Sequence, residues 1–339
     1  MKAFFDPGQT AHDPQTFLAN GVLRPSPEQP RRAEVLHEAA VAAGCEFSVP
    51  EDHGIAFISD VHPSEYLAFL QNIHARWQRM DGASEEVVPN VHPNRHGVSY
   101  PDGMVGQAGW HMADTACPIG PHTWASAYLS AQSAVSGAQA VLSGEQAVYA
   151  LCRPPGHHAF SDMAGGFCFL NNAAIAAKAL LRAGCRPAIL DVDVHHGNGT
   201  QGIFYDDPEV LTVSVHADPA RFYPFFWGHA HERGRGPGEG TNLNLPLDRG
   251  TGDDGFLAAL ENGLERIELF GCDALVVALG LDAHENDPFQ GLAVTTSGFA
   301  SIAARIASLD LPTVIVQEGG YLQPELGPNL RSFLEGWQG

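Results

Sequence analysis

Residues 188–200 read AILDVDVHHGNGT. The first three residues are typical of a buried strand, and the glycine-rich turn that closes the segment marks the strand's carboxyl end. Because alternate strand residues point to the same face, we expect Asp191, Asp193 and His195 to lie side by side. In open α/β sheets this end of the strands is where ligands bind. The segment therefore predicts a functional site where a central strand leaves the sheet.

Two aspartates and a histidine in this position are difficult to explain by packing. Burying unpaired carboxylates costs several kcal/mol, and a bound cation removes that cost. Aspartate oxygen and histidine nitrogen both bind divalent metals, and Zn²⁺ is the usual ion at mixed sites. A polar loop or a salt-bridged cluster just past a strand is the alternative interpretation. The segment favours the metal site.

The bulk composition restricts the class of protein. The 339 residues are 44% hydrophobic and 17% charged, which is enough apolar material for a large core. We find no repeat, linker or change of composition, so we predict a single domain over residues 1–339. The net charge of −21 disfavours nucleic acid and anionic membranes as partners. It suits a cationic substrate, although solubility explains it equally well.

The cysteines and the apolar runs indicate a cytoplasmic protein. The six cysteines are scattered and form no Cys-x-x-Cys pair, a pattern typical of reduced thiols. Residues 1–7 lack the apolar region of a signal peptide, and no apolar run reaches membrane-spanning length.

Strand-like and helix-like segments alternate along the chain, which predicts an α/β fold with a mostly parallel sheet and helices on both faces. Besides the strand before Asp191, strands are predicted at 2–6, 147–152, 210–215, 274–279 and 313–316. Helices are predicted at 31–43, 63–79, 123–142 with Thr123 as N-cap, 171–183, 202–205, 256–270, 297–308 and 328–337. Two segments, 80–122 and 218–241, show little periodicity. We interpret about 80–112 as an insertion loop near the site or at a subunit contact.

Three other predicted strands are also followed by side chains that can bind a metal ion, transfer a proton or donate a hydrogen bond. These are His157-His158 after the strand at 147–152, Asp282 after the strand at 274–279, and Tyr321 after the strand at 313–316. A histidine pair alone is often a core contact. Four such groups at one edge of a sheet indicate an active site.

Asp282 would complete a set of three metal ligands with Asp193 and His195. Three protein ligands leave coordination positions open for water and substrate, which is the catalytic arrangement. Water bound to such a metal has a pKa near about 7.

The remaining polar residues suit the same chemistry. His157 and His158 would transfer protons, with Asp191 orienting one of them. The Tyr321 hydroxyl would stabilise a developing oxyanion by roughly 3–4 kcal/mol. Together these residues predict hydrolysis of an amide or ester by metal-activated water.

With these residues in hand, the chain resembles the zinc-dependent histone deacetylase superfamily, most closely its bacterial acetylpolyamine amidohydrolases. The resemblance covers nearly the whole chain. It is carried by five motifs: Arg153-Pro154-Pro155-Gly156-His157-His158, Gly165-Gly166-Phe167-Cys168-Phe169-Leu170-Asn171-Asn172, the Asp191–Thr200 segment, Gly280-Leu281-Asp282 and Glu318-Gly319-Gly320-Tyr321. The 30–34 region and the insertion point to the polyamine branch.

The resemblance implies an arginase/deacetylase-like fold with about eight strands and one zinc per chain, although Fe²⁺ also occupies such sites. It implies Asp193, His195 and Asp282 as the ligands. His158 is implied as general base and then acid, with His157 as its electrostatic partner held by Asp191, and Tyr321 as the residue that polarises the carbonyl. The implied substrate-binding residues are Asp114 at the rim and Gly166, Phe167 and Tyr223 in the tunnel.

The resemblance also implies two structural potassium ions and a homodimer. One potassium site is implied at Asp191, Asp193, His195, Ser214 and Val215, and a second at Phe204, Asp207 and Val210. The dimer is implied through the insertion loop, which narrows the tunnel. The expected substrate is a small cationic acetylated amine.

Three positions depart from the family pattern, and the first two of them depart from that of the polyamine branch. Val105 stands where a second acid can lie near the tunnel mouth, and Asp114 is one methylene shorter than the expected glutamate. Asn198 replaces an orienting aspartate of some deacetylases, which changes how His158 is tuned.

Three alternatives to a small-amine deacylase stay open. A protein acetyl-lysine deacetylase uses the same chemistry and differs in tunnel access. A non-catalytic acyl-amine binder would bind ligand without turnover, and the presence of both histidines and Tyr321 disfavours it. A two-manganese ureohydrolase needs more bridging carboxylates than this chain offers.

Overall fold

The computed structural model describes residues 1–94, 96 and 99–339. Eight of its strands form one sheet in which every neighbouring pair is parallel, and two others form a separate antiparallel hairpin. The strands are β1 (Lys2–Phe4), β2 (Thr16–Ala19), β3 (Val22–Pro25), β4 (Glu46–Ser48), β5 (Ala147–Ala150), β6 (Pro187–Asp191), β7 (Leu211–Ala217), β8 (Asn242–Leu247), β9 (Ala274–Leu279) and β10 (Thr313–Gln317). The order across the sheet is β4-β1-β5-β10-β9-β6-β7-β8. An α/β fold with a parallel sheet is thus confirmed.

Ten α-helices surround the sheet in the described part of the chain. They are α1 (Arg31–Ala42), α2 (Ala56–Ser59), α3 (Ser64–Trp77), α4 (Met104–His111), α5 (Thr123–Leu142), α6 (Asn172–Arg182), α7 (Asn198–Phe204), α8 (Asp253–Phe270), α9 (Thr296–Ala307) and α10 (Leu326–Gln338). Among the described residues, no helix combines the length and the apolar character that crossing a membrane requires.

The sheet is covered by helices on both faces, as the alternation predicts. Successive residues of β9 belong to different apolar clusters, Val276 to one and Val277 to the other. The first cluster contains the buried sides of α3, α5 and α6, and the second contains those of α1, α8, α9 and α10. Because the central strands are buried on both faces, they consist of nearly continuous apolar residues.

The four central strands carry the polar segments singled out in the sequence. In the order β5-β10-β9-β6, each strand is hydrogen-bonded to the next. His157-His158, Tyr321, Asp282 and the Asp193-His195 pair follow these strands at their carboxyl ends. Since the strands are adjacent and parallel, the four segments meet at one edge of the sheet.

Most predicted elements are confirmed to within a few residues, but the periphery differs. The hairpin β2–β3, the strands β4 and β8 and the helices α2 and α4 were not predicted. The irregular 80–112 segment contains α4, and its positions 95, 97 and 98 lie outside the described residues. The N-cap prediction for Thr123 is wrong: α5 begins at Thr123, His122 is its N-cap, and Thr123 Oγ1 accepts a hydrogen bond from Gly120 N at 2.9 Å.

Candidate active site

Asp193, His195 and Asp282 come together at the carboxyl ends of β6 and β9. Each offers one ligand atom, and these atoms all lie within 4.8 Å of one another. His195 Nδ1 lies 3.1 Å from Asp193 Oδ1 and 3.2 Å from Asp282 Oδ2. The two aspartates are 0% exposed and His195 is 6% exposed. The predicted convergence of these three side chains is therefore present.

Main-chain groups hold the two carboxylates in place. Asp193 Oδ1 accepts a hydrogen bond from His195 N at 2.8 Å, and Asp193 Oδ2 accepts one from Gly319 N at 2.8 Å. Asp282 Oδ1 accepts one from Val194 N at 3.1 Å. Asp282 Oδ2 accepts no well-aligned hydrogen bond from any described residue. One buried oxygen with an unused lone pair therefore faces the cluster, as a metal ligand would.

Glycines at two strand ends make room for these carboxylates. A Cβ on Gly319 would lie 2.2 Å from Asp282 Oδ2, and a Cβ on Gly280 would lie 2.1 Å from Asp193 Oδ2. Both distances are below any real contact of a Cβ atom. The strand ends approach the cluster only because these two residues have no side chain.

The electrostatics of the cluster favour positive charge at its centre. Burial, followed by the neighbouring Asp193, raises the pKa of Asp282. Burial lowers the pKa of His195, but the adjacent carboxylates of Asp193 and Asp282 outweigh that effect and raise the pKa to about 9. Two buried carboxylates in contact repel each other unless a cation lies between them. That cation is either a proton on His195 or a metal ion, and the oxygen, oxygen and nitrogen donor set suits a divalent metal such as zinc.

His157 and His158 lie beside the cluster with ring centroids 4.0 Å apart. His157 Nδ1 lies 2.9 Å from Asp191 Oδ2, and His158 Nδ1 lies 2.7 Å from Asn198 Oδ1. An amide oxygen only accepts, so His158 Nδ1 carries the proton in this arrangement and Nε2 keeps its lone pair. Asn198, noted as a departure from the family pattern, therefore fixes the tautomer of His158.

The two histidines have opposite proton affinities. Burial lowers the pKa of His157, but the charges of Asp191 and Asp193 raise it to about 10. Burial, together with the charges of His157 and His195, lowers the pKa of His158 well below its usual value. One imidazole is thus cationic and its neighbour neutral. Such opposed environments are typical of an acid–base pair.

A buried salt-bridge network holds the turn that presents Tyr321. Arg32 Nε donates to Gly320 O at 2.6 Å, and Arg32 Nη2 donates to Glu318 O at 2.8 Å. Glu28 Oε1 in turn lies 2.6 Å from Arg32 Nη1 and 2.9 Å from Arg153 Nε. The charges of the two arginines lower the pKa of Glu28 although burial opposes them. The turn is therefore fixed from behind by charged groups that are themselves paired.

Tyr321 stands among aromatic rings next to the cluster. Its ring centroid lies 4.9 Å from that of Phe289 and 5.8 Å from that of Phe167, both nearly edge-on. Burial, followed by the charge of Asp282, raises the pKa of Tyr321 well above 10. Its hydroxyl therefore stays protonated and can donate a hydrogen bond.

A pocket of about 270 Å³ leads from the surface to this group. His158, His195 and Tyr321 are at its inner end. The predicted substrate-binding residues Asp114, Gly166, Phe167 and Tyr223 all line it. Its other lining residues are 17–20 of the β2–β3 hairpin, Thr115, Ala116, Phe222 and Phe289.

The residues of the two predicted potassium sites lie in two compact groups. Asp191 and Ser214 are register partners on β6 and β7, and Asp191 Oδ1 accepts from Asp193 N at 3.1 Å. In the second group Phe204 O accepts from Asp207 N at 3.0 Å, and Asp207 Oδ2 accepts from Lys178 Nζ at 2.8 Å. Val215 and Val210 are buried beside them. Nothing in the structure tests potassium binding, so both sites stay predictions.

Asp287 is a site residue that the sequence analysis missed. It is 0% exposed, its Oδ1 accepts from Phe289 N at 2.9 Å and its Oδ2 accepts from Tyr321 N at 3.3 Å. Burial, followed by the charge of Asp282, raises the pKa of Asp287 to about 8. The only sequence signal is the Asp287-Pro288 pair five residues after Asp282.

The described residues contain one other group able to hold a metal ion, formed by His157, Cys168 and Glu318. Glu318 Oε2 already accepts from Gly156 N at 2.6 Å and from His157 N at 3.1 Å. This group provides one carboxylate and shares none with the first. The arrangement therefore disfavours the bridged two-manganese site of a ureohydrolase.

Comparisons with known proteins agree with this geometry. Residues 26–336 match the model of the histone deacetylase domain. The chain is 47% identical over 338 residues to an acetylpolyamine amidohydrolase of Burkholderia pseudomallei, covering 99% of this chain and 98% of that protein. It is 40% identical over 341 residues to the acetylpolyamine amidohydrolase of Mycoplana ramosa, covering all of both chains. A crystal structure of the acetylpolyamine aminohydrolase of Burkholderia pseudomallei superposes with a TM-score of 0.95 at 47% identity, covering 99% of this chain and 98% of that one.

Proposed function

The chain belongs to the histone deacetylase family, and we propose that it is a metal-dependent hydrolase that removes acetyl groups from acetylated polyamines or similar small amines. The observation that carries the proposal is the meeting of Asp193, His195 and Asp282 beside a histidine pair at the end of a pocket. The full-length similarity to acetylpolyamine amidohydrolases supports the substrate class.

Asp193, His195 and Asp282 would hold one zinc ion, and Fe²⁺ also suits this donor set. Support comes from the unused lone pair of Asp282 Oδ2 and from the two buried carboxylates around His195 Nδ1. When bound, zinc supplies Lewis acidity, which lowers the pKa of water in its coordination sphere toward about 7 and polarises the acetyl carbonyl.

His158 would serve as the general base and then as the general acid. Its Nε2 lone pair takes the proton of the attacking water, and the same nitrogen returns a proton to the leaving amine. His157, held by Asp191, would remain cationic and stabilise negative charge that develops nearby. Support comes from the opposed pKa shifts of the two rings.

Tyr321 would donate a hydrogen bond from its hydroxyl to the carbonyl oxygen as negative charge develops there. Arg32 and Asp287 would prepare this step, because they hold the carbonyl oxygen and the N–H of the peptide group between Gly320 and Tyr321 before substrate arrives. A donor that is already oriented needs no reorganisation during the reaction.

The walls of the pocket would select a slender substrate. Phe167 and Tyr223 would flank the chain of the acetylated amine, with Gly166 leaving room beside His158. The net charge of −21 would draw a cationic substrate toward the protein. Asp114 at the rim would contribute to substrate binding.

Several further assignments complete the proposal. The chain would act as a single deacetylase domain over residues 1–339, with the segment at about 80–112 as an insertion that forms a homodimer. Val91 and Tyr100 of that segment are 52% and 39% exposed, which suits a subunit contact.

Two structural potassium ions would bind at the predicted residues. The six free cysteines suit the cytoplasm.

A substrate panel tests the function. Purified zinc-loaded protein should release acetate from acetylputrescine, acetylcadaverine or acetylspermidine, and faster than from an acetyl-lysine peptide. His158→Ala and Tyr321→Phe should abolish most of this release. Faster cleavage of the peptide would make the protein a lysine deacetylase. Ligand binding without any turnover would make it a non-catalytic binder.

A further inference from the structure

The Asp114 carboxylate at the pocket mouth is already engaged by the protein. Its Oδ2 accepts a hydrogen bond from the Tyr223 hydroxyl at 2.6 Å and another from Gly166 N at 3.1 Å. Its Oδ1 accepts one from Ala116 N at 2.8 Å. Three internal donors, from three separate parts of the chain, therefore converge on one side chain that is partly buried.

The hydrogen bond from Tyr223 is a strong one. Burial, followed by the charge of Asp114, raises the pKa of Tyr223 well above 10, so the phenol stays protonated and donates. A hydroxyl bonded to a carboxylate at this distance is charge-assisted, and such bonds are about twice as strong as neutral ones. A substrate ammonium would have to displace this donor or share the carboxylate with it.

Both residues that Asp114 holds lie against the proposed general base. The Tyr223 ring stands edge-on to the His158 ring, with centroids 4.9 Å apart. Gly166 approaches His158 so closely that a Cβ would lie 2.4 Å from His158 Cδ2. The imidazole is thus confined between two wall residues that share one anchor.

We propose that Asp114 is a positioning residue that locks Tyr223 and Gly166 around His158, rather than the group that binds the free ammonium of the substrate. This inference rests on the proposed function, since it concerns the same site. It differs from the role that family resemblance gives to the rim acid. Selectivity for amines would then depend on pocket shape and overall charge, not on a pairing with this carboxylate.

Kinetics on a matched pair of substrates separate the two roles. Acetylputrescine carries a distal ammonium, and N-butylacetamide is its neutral counterpart. For a positioning residue, each of the variants Asp114→Asn and Asp114→Ala should lower kcat on both substrates by the same factor. The loss should be about tenfold or more, because Asp114→Asn removes the charge that strengthens these hydrogen bonds and Asp114→Ala removes all three acceptor contacts. Tyr223→Phe should give a similar loss, and adding it to Asp114→Ala should give little more. Asp13→Asn, which removes an exposed charge outside the pocket, is the control and should change neither substrate.

A rise in KM for acetylputrescine alone, with N-butylacetamide unaffected, would overturn the inference and assign Asp114 to ammonium binding. A second measurement does not need activity. In urea unfolding, the midpoint shift of Asp114→Ala with Tyr223→Phe should be smaller than the sum of the two single shifts. Additive shifts would contradict the pairing of Asp114 with Tyr223, whether or not the protein is active. If the protein hydrolysed neither substrate, that result would count against the proposed function alone.

Discussion

At the floor of the pocket, Asp193, His195 and Asp282 are 0–6% exposed, and main-chain donors at strand ends hold their carboxylates. At the mouth, Leu18 of the β2–β3 hairpin lines the pocket and is 46% exposed. The floor belongs to the central strands, whereas the mouth consists of a hairpin and loops. The residues proposed for catalysis thus follow the central strands, and those proposed to select the substrate lie on the hairpin and loops.

The largest loss of activity should follow from removing the charge of Asp282 at the floor of the pocket. Asp282→Asn keeps the acceptor for Val194 N but removes a charge from the cluster. Acetate release should fall by about a thousandfold or more, because metal activation is worth several kcal/mol and each 1.36 kcal/mol is tenfold in rate. The urea midpoint of the metal-free variant should not fall, since one of two like charges is gone. Activity within tenfold of the parent would contradict the cluster's role.

Tyr321 tests whether the floor also stabilises developing charge. Tyr321→Phe removes only the hydroxyl and should lower kcat by roughly 10²–10³, the loss typical of one oxyanion donor. Metal content per chain should be unchanged. Tyr128→Phe on α5, whose hydroxyl bonds Asp52 far from the pocket, is the matched control. Equal losses in both variants would remove Tyr321 from the mechanism.

His62 tests the segment that links floor and mouth. Its Nε2 accepts from Asn171 N at 2.9 Å and its Nδ1 lies 2.8 Å from Ser161 O, so the neutral ring is required. Burial lowers the pKa of His62 to about 4, against about 6.5 in the unfolded chain. Between these values the unfolded state binds the extra proton, so stability is complete above pH 6.5 and decreases by up to about 3 kcal/mol as pH falls toward 4.

The measurement is the free energy of unfolding from urea titrations at several pH values. His12 and His216 also have pKa values lowered to about 4, and burial lowers the pKa of His111, His158 and His196 as well. The pH dependence of the parent's stability therefore includes several histidines besides His62. His62→Asn should reduce that slope between pH 4 and 6.5 by close to one proton. An unchanged slope would show that His62 is not held neutral.

The smallest effect should come from the mouth. Phe17 of β2 lies 5.8 Å from Phe167, nearly edge-on, and an aromatic pair of this kind is worth about 1 kcal/mol. Phe17→Ala should raise KM for acetylputrescine about fivefold and leave kcat within twofold. Leu23→Ala, on the neighbouring strand but exposed, should change neither value. A large fall in kcat for Phe17→Ala would mean that the hairpin belongs to the rigid site.

The difference between floor and mouth also explains what the sequence could predict. The central strands are buried on both faces, so β9 reads ALVVAL, and a polar residue just after such a run is conspicuous. Parallel pairing brings the carboxyl ends of all four strands to one edge of the sheet. For this reason Asp193, His195, Asp282 and Tyr321 could be grouped from the sequence alone.

The periphery of the fold gives no such signal. Strand β3 is exposed along its whole length, α4 contains two glycines, and β8 contains a proline, so hydrophobic periodicity fails in all three. The role of Asp114 depends on Tyr223, which is 109 residues away in the chain. The role of Asp287 depends on its hydrogen bond from Tyr321 N, which is 34 residues away in the chain. Contacts of this kind arise from tertiary structure and leave no local pattern.

The proposed function requires that Asp193, His195 and Asp282 hold one metal ion and that this ion is needed for hydrolysis. The most direct measurement is a zinc titration of chelator-treated protein, with acetate release from acetylputrescine followed at each addition. Activity should be absent at the start, rise linearly and level off at one zinc per chain. Full activity of the metal-free protein, or a plateau at two metal ions per chain, would contradict the claim.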